Sequence, residues 1–208
     1  MTIQPFDPED ASDEAEVGAV VTPGRKRPKP GERRLQILQA LASMLEQPDA
    51  ERITTAVLAR HLGISEAALY RHFASKAQMF DGLIEFIETS VLGLVQQITD
   101  QQPDPREQAR RVVWGVLQFA EKNPGMCRVM VGDALVHEKP RLNERMGLFF
   151  DKLESALKLR LREAQHPDPA GLAALLMDAV SGRLQRYARS GFKRLPTAEP
   201  QALLALLH

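Results

Sequence analysis

The chain has 208 residues, and its 27 Lys and Arg balance its 27 Asp and Glu, which excludes a uniformly basic surface for nucleic acid. Aromatic residues are scarce at 5% and hydrophobic residues make up 44%, a composition that favours an all-α protein with a sizeable core. The single cysteine, Cys127, excludes an internal disulfide, and the lack of a signal-peptide pattern or a bilayer-long apolar run predicts a cytoplasmic protein with no membrane partner.

Two blocks of opposite charge begin the chain, and residues 1–31 are predicted to be a disordered acidic tail and a basic arm. Residues 1–24 carry six acidic residues, no Lys or Arg and no sustained periodicity, so their composition predicts a disordered acidic tail. The run RKRPKPGERR at 25–34 is strongly basic. Directly before a DNA-binding element, such an arm is suited to phosphates or a minor groove, and the alternative is a solvated charge run.

Residues 32–77 predict a three-helix unit that contains a helix-turn-helix. In the first helix, 32–45, apolar residues recur on one face. The second helix begins at Thr54, whose hydroxyl can accept a hydrogen bond from a free backbone amide. The residues that this helix is expected to bury are Val57, Leu58 and Leu62.

A glycine turn separates the second helix from the third. Gly63 stands where the chain needs a positive φ. Ser65 then caps a helix predicted over Glu66–Phe73, in which only Leu69 and Phe73 are large apolar residues of one face. A helix with so narrow an inward face and small residues at its start can lie close to a groove.

Residues 78–208 predict a second, wholly helical domain. Ser75 and Gln78 form a capping-box pattern at the start of a long helix to about Thr99, roughly 36 Å in length, which links the two domains. Asn123 is expected to cap the sixth helix, and the nearly all-apolar last helix is expected to dock at a homodimer interface with the eighth. The further helices are predicted over about 106–123, 124–136, 140–163, 169–190 and 198–207.

The run LGISEAALYRHFASKAQMF at 62–80 resembles the DNA-binding region of the TetR family of transcriptional regulators. The threonine pair before the second helix, the turn glycine, the Leu-Tyr-x-His-Phe sequence and the following lysine all stand at the family's spacing. The resemblance implies a TetR-like fold and a homodimer that binds palindromic double-stranded DNA.

The resemblance also assigns roles within the helix-turn-helix. Tyr70, His72 and Lys76 match positions that contact the DNA backbone in the family. Thr54 and Thr55 lie at a helix start, which favours a phosphate. Base reading is expected from the start of the recognition helix, and Arg71 can reach either kind of target. The expected base-reading residues are Ser65, Glu66, Ala67 and Ala68.

Enzymatic motifs are weak in this sequence. The five histidines show no metal-ligand spacing, Cys127 has no evident histidine partner, and there is no Gly-rich phosphate loop. We therefore expect no enzyme and no cofactor. Trp114, Met126 and Met130 are candidates for a ligand cavity, and the simpler interpretation is that they are core residues.

Several further segments resemble the nucleoid occlusion factors, a narrower group within the TetR family; they include FDGLIEFIE, EKNPG and GDALVHEKPRLNERM. This resemblance implies a nucleoid-associated protein that binds scattered chromosomal sites and, while bound, antagonises ring assembly by the division GTPase FtsZ. Phe86, Lys122 and Asn123 match the FtsZ-binding surface, although Lys122 replaces an arginine. Such a protein needs no small-molecule effector. The alternative within the TetR family is a ligand-responsive repressor.

The opposite charges of the first two blocks generate a prediction. If the acidic tail folds back on the basic arm, deletion of residues 1–24 will strengthen non-specific DNA binding, because the arm loses an internal competitor for phosphate. Titration of a non-specific duplex at several salt concentrations measures this effect. An unchanged affinity and an unchanged salt dependence would show that the tail does not screen the arm.

Overall fold

The computed structural model describes residues 31–47 and 53–207, and every regular element within those ranges is helical. The all-α prediction is thereby confirmed, whereas the acidic tail and the basic residues at 25–30 lie outside the described residues. The α-helices of the described ranges are α1 Glu32–Leu45, α2 Thr55–His61, α3 Glu66–Tyr70, α4 Lys76–Gln101, α5 Pro105–Lys122, α6 Pro124–Met130, α7 Pro140–Glu163, α8 Pro169–Arg189 and α9 Gln201–Leu204. Short 3-10 turns span Asp133–Leu135 and Ala205–Leu207.

The helix-turn-helix forms with the caps that the sequence predicts. Thr54 Oγ1 accepts a hydrogen bond from the Val57 amide, and Ser65 Oγ accepts one from the Ala68 amide, each at 3.2 Å. Gly63 takes a φ of 63°, the left-handed conformation that glycine adopts without a Cβ clash. Local sequence therefore fixes both helix starts and the turn between them.

Two details of this region differ from the predictions. Val57 is 42% exposed, because α2 turns its next two residues into the core instead. The recognition helix α3 ends at Tyr70 and not at Phe73. After Tyr70 the chain tightens, since the His72 amide bonds to the Leu69 carbonyl three residues back, and the Phe73 ring enters the core with 1% exposure.

Helix α4 packs against α1, α5, α6 and α7. It has 26 residues and is therefore about 39 Å long. Its buried large apolar residues recur at helical spacing along its length: Met79, Phe80, Leu83, Ile84, Ile87, Val91 and Ile98. The single helix thus supplies core residues both beside the helix-turn-helix and beside the later helices.

Helices α1 and α6 approach so closely that only glycine fits between them. A Cβ built on Gly125 would lie 2.2 Å from the Ala42 carbonyl oxygen. At the end of α1, the Arg128 guanidinium donates to the carbonyls of Leu45 (3.4 Å) and Gln47 (3.1 Å). Arg128 therefore binds carbonyls that have no partner within α1 and joins the helix-turn-helix unit to α6.

The connection from α5 to α6 corrects a prediction. Asn123 does not cap α6 with its side chain; its Nδ2 donates to the Phe119 carbonyl at 2.9 Å and so closes the end of α5. Helix α6 also ends at Met130, not at 136, because Gly132 adopts a φ of 83° and turns the chain. Val136, expected on the apolar face, is 68% exposed.

The last helix is shorter than predicted. It is expected over 198–207, but α-helix is confined to Gln201–Leu204. The residues before it are held in another way, because the Arg183 guanidinium donates to the carbonyls of Ala198 and Glu199 at 2.6 and 3.0 Å. Because these carbonyls point at the guanidinium, they do not point along a helix axis, and the residues that carry them are not helical.

We expect Gly125→Ala to lower the free energy of unfolding by about 3 kcal/mol, because α1 must shift to admit the methyl group. Gly93→Ala is the matched control, since a Cβ on this exposed α4 glycine meets nothing within 4 Å. That variant should gain roughly 0.5 to 1 kcal/mol from helix propensity. Urea denaturation measures both. Equal midpoints for the two variants would contradict the close approach of α1 and α6.

Candidate nucleic-acid interface

A side-chain hydrogen bond joins the starts of α2 and α3. Thr55 Oγ1 donates to Glu66 Oε2 at 2.7 Å. The residues before them, Thr54 and Ser65, use their hydroxyl oxygens to cap the two helices. The predicted phosphate-binding threonines and the predicted base-reading glutamate therefore form one connected group. A cytosine amino group that bonds to Glu66 would have to share the carboxylate with Thr55.

The outward side of α3 and of the turn after it is open to solvent. Leu69 alone of α3 is buried. Ala67 and Ala68 present only methyl groups, so DNA can approach the helix closely here. Tyr70, at 47% exposure, flanks these alanines with a phenol group. The exposed members of the predicted set are Thr54, Ser65, Glu66, Ala67, Tyr70, Arg71 and His72, and Thr55 and Ala68 are half-buried.

Lys76 has a different environment from the rest of the set. Its Nζ lies 2.5 Å from Glu138 Oε1 and 5.5 Å from the centroid of the Phe80 ring. The two charged side chains are only 22% and 10% exposed. A cleft of about 240 Å³, which both line, separates the helix-turn-helix unit from the segment 133–138. The predicted phosphate donor is therefore paired within the protein.

Arg34 is a contributor that the sequence analysis placed in the basic arm. Its Nη1 donates to the His72 carbonyl at 2.9 Å, and its guanidinium carbon lies 4.0 Å from the centroid of the Phe73 ring. Helical spacing could have predicted this contact, because residue 34 lies on the same face of α1 as the buried Ile37 and Leu41, three and seven residues further on.

The residues expected on a partner surface lie around one phenylalanine. The rings of Phe86 and Phe119 have centroids 6.2 Å apart. Asn123 donates its Nδ2 to the Phe119 carbonyl. Phe86 and Asn123 are half-buried, and Lys122 is exposed at the end of α5. The structure thus brings α4 and the end of α5 together at these positions.

Ion pairs join α4 to α7. The Arg141 guanidinium donates to both carboxylate oxygens of Asp81 at 2.9 and 2.5 Å, and Arg145 Nη2 lies 2.5 Å from Glu88 Oε2. The hydrogen bond from Arg141 holds the pKa of Asp81 below its usual value. Since the pKa is lowered on folding, the pair stabilises the fold at neutral pH and is lost as Asp81 becomes protonated in acid.

Two family models match the chain. Residues 37–83 match the model described as "Bacterial regulatory proteins, tetR family", and residues 107–208 match "Tetracyclin repressor-like, C-terminal domain". A TetR-like transcriptional regulator from Rhodococcus sp. RHA1 superposes with a TM-score of 0.72 at 21% identity, covering 87% of this chain and 96% of that chain. PfmR, a TetR family regulator from Thermus thermophilus, gives 0.69 at 20% identity over 84% and 95%. At these identities the likeness shows the fold.

Sequence relatives are much closer. "Nucleoid occlusion factor SlmA" of Idiomarina loihiensis is 49% identical over 172 residues, which cover 79% of this chain and 88% of the relative. The Vibrio cholerae protein of the same name is 48% identical over 183 residues, or 84% and 93%. The chain belongs to the SlmA family.

The matched ranges locate the predicted residues within this SlmA family member. The range 37–83 contains every predicted DNA-contact position, whereas Arg34 precedes it. Lys122 and Asn123 fall in the second range, and Phe86 lies between the two. The DNA and partner roles of these residues remain predictions.

Thiol catalysis, metal binding and membrane spanning have little support in the described ranges. Burial raises the pKa of the Cys127 thiol to about 12, so the thiol stays protonated and is a poor nucleophile near neutral pH. Within residues 31–47 and 53–207 no cluster of three or more His, Cys, Asp or Glu could hold a metal ion. Nor does that part of the chain contain a helix long and apolar enough to cross a bilayer. Met126 and Met130 are buried in the core, and Trp114 is half-buried.

The pairing of Lys76 yields a prediction about DNA affinity. In Glu138→Gln the carboxylate that competes with phosphate for Lys76 is gone, so we expect specific DNA binding to tighten about five-fold, equivalent to ~1 kcal/mol. Fluorescence anisotropy with a labelled duplex at fixed salt measures it. Glu144→Gln, on the exposed side of α7, removes the same charge away from Lys76. Equal gains in both variants would attribute the effect to net charge alone.

Proposed function

We propose that the protein is a sequence-specific DNA-binding nucleoid occlusion factor. Bound to chromosomal sites, it antagonises FtsZ ring assembly over the nucleoid and so blocks cell division there. The observation that carries the proposal is the 48–49% identity to the SlmA relatives over most of both chains. The solvent-exposed side of α3 supports the DNA-binding part, because it combines methyl groups with hydrogen-bond donors and acceptors.

In the proposed complex, two sets of side chains divide the work at the DNA. Thr54, Tyr70 and His72 donate hydrogen bonds to phosphates, and so does Thr55 once its hydroxyl leaves Glu66. These contacts set the register and carry no sequence information. Base edges are read by the start of α3, where alanine methyl groups suit thymine and the carboxylate of Glu66 suits the cytosine amino group. The remaining members of this set are Ser65, Ala67, Ala68 and Arg71.

A homodimer supplies the second reading helix for a palindromic site. The protein exposes large apolar side chains on its last long helices: Leu148 of α7 at 60%, Leu159 of α7 at 43% and Leu175 of α8 at 50%. Leu148 and Leu159 are eleven residues apart, close to three helical turns, and so lie on one side of α7. We assign this apolar side to the dimer contact.

The FtsZ surface comprises Phe86, Lys122 and Asn123. In this scheme DNA is the activating ligand, which requires different FtsZ affinities in the free and DNA-bound states. Helix α4 is the physical link, since Lys76 at its start is a proposed phosphate donor and Phe86 lies ten residues along, about 15 Å away. No small-molecule effector, cofactor or catalytic residue is needed, and the protein acts in the cytoplasm on the nucleoid.

The pattern of genomic binding tests the DNA-binding proposal. The purified protein is mixed with sheared genomic DNA at physiological salt, and the retained fragments are sequenced. We expect many sites along the chromosome with depletion near the replication terminus. One or two sites beside its own promoter or a neighbouring operon would overturn nucleoid occlusion and leave a ligand-responsive repressor.

The FtsZ proposal has a separate test with a charge reversal. We expect Lys122→Glu to retain DNA affinity and to lose antagonism of FtsZ polymers in the presence of the selected duplex, because an exposed cation of the partner surface changes sign. Co-sedimentation of FtsZ polymers with GTP measures this. Lys152→Glu, an exposed reversal on α7, is the matched control. If both variants behave as the wild type, Lys122 does not belong to the FtsZ surface.

A further inference from the structure

The recognition helix is too short to hold its own orientation. α3 spans five residues and buries only Leu69. Isolated helices of this length are unstable in water, because nucleation is costly and one turn adds few hydrogen bonds. The direction in which its exposed residues point therefore depends on what holds each end.

The start of α3 is held by polar contacts. Ser65 caps the helix, and Glu66 accepts the hydrogen bond from Thr55 at the start of α2. Both contacts lie within the helix-turn-helix itself. They fix where α3 begins, but a helix held at one end can still swing at the other.

The far end is held by Phe73 and by a residue of α1. The Phe73 ring is buried with 1% exposure. The Arg34 guanidinium carbon lies 4.0 Å from its centroid, and Arg34 Nη1 donates at 2.9 Å to the carbonyl of His72, which directly precedes Phe73. One planar group thus holds both the ring and the backbone that leads out of the recognition helix.

Arginine is suited to this task and lysine is not. A guanidinium can stack its flat face on a ring while an N–H at its edge donates a hydrogen bond to an acceptor beside the ring. An ammonium group is a compact point charge without a flat face or an edge, so it cannot reproduce the two contacts together. The neighbouring Arg33 instead donates to Gln36 Oε1 within α1, at 3.0 Å.

We propose that Arg34 is a positioning residue that fixes the angle of the recognition helix, and that it is not a phosphate contact of the basic arm. The inference rests on the proposed DNA-binding function and extends it to a residue of α1. Arg34 acts through His72 and Phe73, so its removal changes how α3 meets the groove while the number of phosphate contacts stays the same.

Three variants distinguish the two roles: Arg34→Lys, Arg34→Met and Arg33→Met. Each is titrated with a duplex selected by the wild-type protein and with a non-specific duplex of equal length, over a series of salt concentrations. Arg34→Lys keeps the charge and removes the guanidinium geometry. Arg33→Met removes one charge from the adjacent position, which has no contact with α3 among the described hydrogen bonds.

For a positioning residue, we expect Arg34→Lys and Arg34→Met to weaken specific binding alike, by about ten-fold. Non-specific binding by Arg34→Lys should stay at the wild-type level, and the salt slope for the specific duplex should be unchanged in both. For a phosphate contact, Arg34→Lys would retain specific affinity and Arg34→Met would lower the slope by about 0.9. That second pattern would overturn the proposal.

Hydrogen exchange of the free protein tests the same point without DNA. We expect the amides of residues 65–73 to exchange faster in both Arg34 variants, with the amides of α4, α5 and α8 unchanged and with wild-type exchange throughout Arg33→Met. Unchanged exchange at 65–73 overturns the positioning role. Because this readout needs no DNA, it tests the role of Arg34 whether or not the genomic fragments support the proposed function.

Discussion

The structure depends on one helix that belongs to two packing units. The early part of α4 buries Met79, Phe80 and Leu83, and its later part buries Ile87, Val91 and Ile98. The same helix contacts α1 on one side and α5, α6 and α7 on others. Since a helix is stiff over 26 residues, a displacement at its start is carried along its length. The proposed link between DNA contact near Lys76 and the partner surface at Phe86 therefore runs along α4.

Contacts outside α4 reinforce this connection and make it close-fitting. Gly125 brings α6 against the backbone of α1, and Arg128 binds the carbonyls at the end of α1. The Lys76–Glu138 pair is a third connection, between the start of α4 and the segment before α7. The first of these contacts is steric and does not vary with ligand, whereas Lys76 has a competing partner in any phosphate placed nearby. In the proposed function, DNA would therefore act on the later helices by replacing Glu138 with a phosphate as the partner of Lys76.

The recognition element shows how little apolar burial a reading helix can have. Most of the surface of α3 stays open for DNA, so Leu69 is the only residue of the helix that is buried in the core. We propose that polar contacts at its two ends, together with the buried Phe73 ring, hold its orientation. Their individual energies are small because they are exposed, yet orientation decides whether donors meet the intended base edges. We therefore expect stability and specificity to depend on different residues in this unit.

Several local features of this protein can be predicted from its sequence alone. The caps at Thr54 and Ser65, the turn at Gly63 and the bounds of α7 follow from hydrogen bonds and periodicities within a few residues, so a linear reading finds them. The motif at 62–80 was equally local, and it sufficed to indicate the TetR family.

Tertiary structure decided the partners of the polar side chains. Arg34 bonds to a carbonyl 38 residues away and Lys76 to a carboxylate 62 residues away. Arg183 binds the carbonyls of residues that the sequence assigned to a last helix. The Asn123 side chain donates to a carbonyl at the end of α5 and does not cap the start of α6, although it stands between the two helices. A charged or amide group can satisfy itself in many ways, and only the packing of the helices determines which acceptor lies within hydrogen-bonding distance.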